Sequence, residues 1–265
     1  MSSYTRYDGI TSSDWNSEGD YVSIRVLGCS GGLSGNNQQG STCIQLNETT
    51  LIDAGTGLAG LSLEEMQRIR HIFLTHAHMD HIAALPTFLS NQFDQQDLPV
   101  KVYGLAETLT RLQDNIFNNE IWPDFTQLVE SEVPMLELVE VSAGDIISHQ
   151  NLTLELFAVE HSIPTIGYSV KSEGSHFIFC ADCTESDQLA ADLNRLAPID
   201  ILMIECAFPD RLTEVAEKSK HMTPSMLHRT LAKIPDVKHV WITHLKPSYE
   251  KELRNVLHGS RLTVL

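Results

Sequence analysis

The sequence predicts an α/β protein built as a four-layered αββα sandwich, on three observations. Two strand-rich halves follow one another, each closing with helices. Apolar strands run directly into polar, chemistry-bearing residues, which places those residues where strands meet loops at the edge between the sheets. No low-complexity stretch or charge block divides the chain and no short-period repeat is present, so the 265 residues read as a leader over 1–20 and one domain over 21–265.

The first strand is expected over 21–27, where Val22, Ile24 and Val26 alternate with polar or mixed residues. The Gly-rich run from Gly28 to Asn37 lacks the Gly-Lys-Ser/Thr ending of a phosphate cradle and precedes no helix pattern. It reads as a tight strand connection beside a site. Strands follow at 41–46 and 50–53, then a turn over 54–57 and a helix near 62–68. A buried strand over 71–74 runs into Thr75 and His76. A helix is expected from Ala83 to about 91, a short strand over 100–104 and a helix from Ala106 to about 117, with loop between. The second half carries strands near 136–141, 152–159, 165–171, 176–180 and 201–204, a helix over 224–232 and a strand over 237–242.

A hydrophobic content of 42% supports a sizeable core. Against 35 Asp and Glu stand only 18 Lys and Arg, a formal charge of −17, and the resulting field repels polyphosphates at long range. A large nucleic-acid partner is therefore disfavoured, although bound divalent ions would offset the charge locally. The five cysteines, Cys29, Cys43, Cys180, Cys183 and Cys206, are odd in number and scattered over strands and strand ends, which predicts buried thiols in a reducing cytoplasm and no disulfide framework. The Cys180-Ala-Asp-Cys183 pair has no second such pair to complete a zinc knuckle. No basic segment followed by an apolar run opens the chain, and no stretch approaches eighteen apolar residues, so neither export nor membrane insertion is expected.

The run Thr75-His76-Ala77-His78-Met79-Asp80-His81 puts three imidazoles and a carboxylate directly after an apolar strand. His76 and His78 at i and i+2 can point the same way in an extended segment, while Asp80 and His81 turn toward a second point as a helix begins, a spacing that suits two adjacent ions. Imidazole with carboxylate selects borderline metals such as Zn²⁺, with Mn²⁺ or Fe²⁺ also accommodated. Further ligands are available at later strand ends, in His161, Asp182 and His244.

These motifs, with the Asp53-Ala54-Gly55-Thr56-Gly57 turn, resemble the metallo-β-lactamase superfamily. The resemblance implies one ion held by His76, His78 and His161, the other by Asp80, His81 and His244, with Asp182 bridging, and Asp53 orienting a ligand imidazole. Within the superfamily, the segments from Phe117 to Phe125, from Asp53 to Leu58 and from His221 to Pro224 are similar to class II cyclic-nucleotide phosphodiesterases. That resemblance spans most of 24–247. It implies hydrolysis of 3′,5′-cyclic AMP or GMP to the 5′-monophosphate by a hydroxide bridging the ions, in a cytoplasmic homodimer.

The same resemblance makes Asp80 and His221 the positions to test for a proton donor, and His221 is preferred because a metal-bound carboxylate is a poor acid. Glu205 is placed to orient His221, Thr75 to hydrogen-bond backbone near the ligands, and Asn118, Trp122 and Phe125 to hold a purine. The competing branch is the tRNA 3′-processing endonucleases, similar in 28–32, in 204–208 and in Thr243-His244-Leu245. Those enzymes carry a His where this chain has Ile204, and a basic arm for which no Gly- and Lys-rich insertion exists here. Ester, thioester and lactone hydrolysis, and a non-enzymatic metal-binding relative, are the remaining alternatives.

Overall fold

The computed structural model describes residues 24–33, 40–92, 98–130, 133–172, 174–234 and 237–265; the expected leader over 1–20 and the start of the expected strand over 21–27 lie outside them. In chain order the first half contains β1 (Arg25–Ser30), β2 (Gly40–Ser41), β3 (Cys43–Asn47), β4 (Thr50–Ile52), α1 (Leu63–Met66), β5 (His71–Phe73), α2 (Met79–Ile82), α3 (Leu85–Ser90), β6 (Val100–Gly104), α4 (Ala106–Asn115), the small hairpin β7 (Val129–Glu130) and β8 (Val133–Pro134), and β9 (Leu136–Glu140). The second contains β10 (Ile146–His149), β11 (Leu152–Val159), β12 (Thr165–Ser172), β13 (Ser175–Phe179), α5 (Asp187–Leu196), β14 (Ile199–Glu205), α6 (Thr213–Ser219), α7 (Pro224–Lys233), β15 (Val237–Thr243), α8 (Glu250–Val256) and β16 (Leu262–Val264).

Two seven-stranded sheets result, ordered β2-β1-β3-β4-β5-β6-β9 and β10-β11-β12-β13-β14-β15-β16. Strands β4, β5, β6 and β9 are parallel to one another, as are β13 to β16. The alternation of side chains along each strand creates three apolar layers. Ile52, Phe73, Phe177, Phe179, Met203 and Trp241 point into the space between the sheets. Their neighbours on the same strands point outward: Leu51 and Ile72 meet Phe88, Leu109 and Leu112 of the first helical layer, and Ile178, Leu202 and Ile242 meet Leu193, Leu227 and Leu253 of the second. The αββα architecture expected from the sequence is the one observed.

Two of the differences from expectation bear on the site. The first strand continues through Gly28, Cys29 and Ser30, because Gly28 and Ser30 pair with Gly40 and Ser41 of β2 across a register shift. The Gly-rich composition had concealed that strand end. The helix expected from Ala83 is observed as α3, which begins at Leu85 with Pro86 in its first turn, where a residue without an N–H belongs, and a separate single turn, α2, precedes it. All five cysteines are buried and none is in a disulfide. Among the described residues no helix is long and apolar enough to cross a membrane.

Candidate metal centre

Thr75 and His76 follow β5, His161 follows β11, Asp182 follows β13, Glu205 ends β14 and His244 follows β15, while Asp53 follows β4. Strand β11 is antiparallel to β12, which is antiparallel to β13, so all these strands deliver their ends to one edge of the sandwich. His78 is the extended N-cap of α2, and the single turn that follows rotates Asp80 and His81 away from the direction of His76 and His78.

Two groups of ligand atoms form there and meet at Asp182. In the first, His76 Nε2 lies 3.0 Å and His161 Nε2 3.3 Å from His78 Nδ1, with Asp182 Oδ2 3.8 Å from His76 and 3.9 Å from His161. In the second, His244 Nε2 lies 3.2 Å from Asp80 Oδ2 and 3.1 Å from Asp182 Oδ2, and His81 Nε2 lies 3.3 Å from Asp182 Oδ1. Ligand atoms at about 2.0–2.1 Å from a tetrahedral ion stand about 3.3–3.4 Å apart, so both groups have the dimensions of a cation site.

The outward ring nitrogens make the fit chemical as well as metric. His161 Nδ1 donates to the Lys220 carbonyl at 3.1 Å, which leaves its neutral ring with an Nε2 lone pair aimed inward, and His81 Nδ1 donates to Asp53 at 2.6 Å, which aims its Nε2 inward as well. Burial alone would lower His81, but Asp182 and Asp53 raise it well above the ordinary imidazole range, so a cation bound there would displace the Nε2 proton. His81 Nε2 is buried without a hydrogen-bond partner among the described residues. Converging lone pairs repel unless a cation lies between them, and three imidazoles with a shared carboxylate suit a divalent ion. Burial, and then the neighbouring His161, bring His78 down to about 4, and burial also lowers His161. Both rings are therefore neutral, ligand-competent imidazoles at pH 7.

Beside these groups His221 Nδ1 lies 2.7 Å from Glu205 Oε1, and the His221 ring stacks on His244 at 5.1 Å and 21°. Burial alone would lower His221; the adjacent Glu205 overrides it and the net shift is upward. Two residues that the sequence reading did not single out also reach the site. Lys246 Nζ is 4.0 Å from Asp80 Oδ2, and the Phe208 ring meets His221 edge-on at 5.8 Å. Lys246 sits two positions past His244, and that proximity was its only sequence signal.

The aromatic segment expected to hold a purine lies elsewhere. The Phe125 carbonyl accepts from Leu136 N, and Leu136 pairs with Val100 at the start of β6, the strand end opposite the one that delivers His76. Phe125 is 0% exposed and packs edge-on against Phe117 in the outer core, Trp122 packs against the same cluster, and Asn118 spends its side chain on the turn, accepting from Glu120 and Ile121 N. The assignment of Asn118, Trp122 and Phe125 to substrate is corrected accordingly: Asn118 shapes a turn, Phe125 fills the core and the half-buried Trp122 packs on the edge of that core.

Backbone strain concentrates at the site. Asp53, Ala181, Lys220 and His244 all have φ between 55° and 60°, the left-handed region that side chains rarely adopt, and each is or adjoins a residue of the cluster. The Gly-rich connection lies against His244 as expected: His244 N donates to Cys29 O, Gly31 N donates to Leu245 O, and a Cβ at Gly31 would sit 2.5 Å from the His244 carbonyl.

The chain belongs to the beta-lactamase superfamily, whose domain profile matches residues 48–245. It is a metal-dependent hydrolase of that superfamily. It is similar to ribonuclease Z of Methanosarcina mazei, with 24% identity over 90% of this chain and 92% of that protein. It is also similar to a 3′,5′-cyclic-nucleotide phosphodiesterase of Aliivibrio fischeri, with 27% identity over 68% of this chain and 60% of that protein, so it spans less than two thirds of the latter's length. The structure of unliganded yeast PDE1 superimposes with a TM-score of 0.71 at 19% identity, covering 91% of this chain and 96% of that one, which shows a shared fold.

Proposed function

We propose that the protein is a dinuclear phosphodiesterase that hydrolyses 3′,5′-cyclic nucleotides to 5′-monophosphates. The observation that carries this reading is the pair of ligand groups joined at Asp182 with the Glu205–His221 pair beside them. In this reading His76, His78, His161 and Asp182 hold one ion and Asp80, His81, Asp182 and His244 the other, with zinc, manganese or iron as the metal. Bound divalent ions lower the pKa of water and offset charge on phosphoryl oxygens.

The chain's own groups supply the rest. His221, held at Nδ1 by Glu205, donates its Nε2 proton to the departing ribose 3′ oxygen. Asp80 is held ionised by the His244 hydrogen bond and the neighbouring His81 despite its burial, which suits a ligand and not an acid. The Lys246 ammonium adds positive charge at the rim, where the phosphodiester anion enters. The charge of −17 favours a small nucleotide over a polyanion, and the protein acts as a cytoplasmic homodimer in this reading.

A second reading, tRNA 3′ processing, is favoured by the likeness to ribonuclease Z across 92% of that protein. Metal-loaded protein and an Asp80→Ala variant assayed in parallel on 3′,5′-cyclic AMP and on a precursor tRNA separate the two. Formation of 5′-AMP that is lost in the variant supports the phosphodiesterase; cleavage of the tRNA alone overturns it in favour of the nuclease.

A further inference from the structure

We infer that Asp53 and Thr75 act together as positioning residues that serve both ion sites: one buried carboxylate orients His81 directly and His76 through the Thr75 hydroxyl. The inference rests on the dinuclear reading of the centre and adds the means by which one buried carboxylate holds a ligand of each ion.

The hydrogen-bond directions follow from proton counting. The Asp53 carboxylate receives Thr75 N at 2.8 Å, His81 Nδ1 at 2.6 Å, and the Thr75 hydroxyl at 3.1 and 2.9 Å from its two oxygens. The hydroxyl has a single proton, and the carboxylate, which has none to give, takes it. Thr75 Oγ1 can therefore only accept from His76 Nδ1, 2.9 Å away. In the opposite arrangement, with Thr75 donating to His76, the hydroxyl lone pairs would face both carboxylate oxygens at contact distance.

His76 is thereby fixed with its proton on Nδ1 and its Nε2 lone pair toward His78 in the first ligand group. His81, held at Nδ1 by Asp53, is fixed with its Nε2 toward Asp182 in the second. Asp53, Thr75, His76 and His81 are each 0% exposed, so no solvent molecule can replace a missing link. The relay is also held from outside: Thr75 O accepts from Ile166 N, and Leu74 O accepts from the Tyr168 hydroxyl at 2.7 Å. Removing the Thr75 hydroxyl should therefore leave the backbone in place.

The test is titration of the metal-stripped full chain with zinc against a chromophoric chelator, giving two stepwise affinities for wild type, Thr75→Val, Thr75→Ser and Asp53→Asn. Thr75→Val is expected to weaken one site by about 10–100-fold and leave the other nearly unchanged, Thr75→Ser to restore it, and Asp53→Asn to weaken both. Equal affinities in wild type and Thr75→Val, or a loss spread evenly over both sites that Ser does not restore, overturn the relay. Fewer than two zinc equivalents in wild type would instead overturn the dinuclear reading, so the two failures are distinguishable. Should Thr75→Val not fold, nitrogen shifts of the His76 ring in ¹⁵N-histidine-labelled wild type decide the matter, since the relay requires the proton on Nδ1 before zinc is added.

Discussion

The Oε1 of Glu205 accepts from His221 Nδ1 at 2.7 Å and from Cys183 N at 2.9 Å, while its Oε2 accepts from Met222 N at 3.2 Å. One buried carboxylate thus fixes the imidazole that follows α6 to the backbone of the residue that follows Asp182. The ring has little freedom to turn, and the nitrogen opposite Glu205 is the one available for proton transfer. His221→Ala is predicted to lower kcat on a cyclic nucleotide by about 10²-fold or more, since the leaving alkoxide then lacks its acid. A p-nitrophenyl phosphodiester, whose leaving group needs no proton, should lose far less. Equal losses on the two substrates, with metal content unchanged, would remove His221 from the acid role.

Lys246 is three-quarters buried and its ammonium is 4.0 Å from Asp80 Oδ2, yet among the described residues no closer carboxylate pairs with it. A cation so placed adds attraction for an incoming phosphodiester without touching the proton donor. Lys246→Met is predicted to raise KM by about tenfold, the value of roughly 1.4 kcal/mol of lost charge attraction, with a smaller change in kcat. The effect should fade as salt is raised, because part of the attraction acts through solvent. A drop confined to kcat would point to a role in the chemical step.

The site was more legible in the sequence than the surface around it. His76, His78, Asp80 and His81 are close in sequence and follow an apolar strand, so their chemistry can be read locally; His161, Asp182 and His244 were readable because each ends a strand run. The direction of a strand decides where its flanking loop goes, and that is what misled the reading of 117–125. Asn118, Trp122 and Phe125 have the composition of a base-binding loop, but β6 is parallel to β5 and α4 carries the chain back to the far end. α5 did carry a signal, with Ser186 capping Leu189 N and Leu189, Leu193 and Leu196 on one face. Gly28 and Ser30 did not, because their strand depends on a partner at Gly40 and Ser41 that no local pattern announces.

Phe125 therefore serves to test the corrected assignment. Truncating a fully buried phenyl ring typically costs about 3–5 kcal/mol, and Phe125→Ala should lower stability by that order in urea denaturation. KM measured well below the unfolding midpoint should stay at the wild-type value. A raised KM in a variant of unchanged stability would return the segment to the substrate.

Far from the ligand groups, at the start of β5, the His71 ring lies 3.8 Å from the His149 ring of β10, and His71 Nδ1 lies 3.1 Å from the Tyr103 hydroxyl. The contact joins the two sheets, and it requires neutral rings. Burial, then the neighbouring His149, Lys101 and Arg70, brings His71 down to about 4, and burial lowers His149 as well. In the unfolded chain both rings titrate near 6.5. Between roughly pH 6.5 and 4 the unfolded state binds more protons than the folded one, so the contribution is complete above 6.5 and lost as pH falls. The His71 shift alone would correspond to about 3 kcal/mol, which half exposure and solvent screening reduce to the order of 1–2 kcal/mol. His71→Gln, which keeps a partner for Tyr103 and cannot charge, should be less stable than or equal to wild type at pH 7 and gain on it by that amount at pH 4. Urea denaturation of both proteins in excess EDTA, so that metal release contributes nothing to the difference, measures the gap. Curves that stay parallel from pH 7 to 4 would mean that the ring contact tolerates the charge.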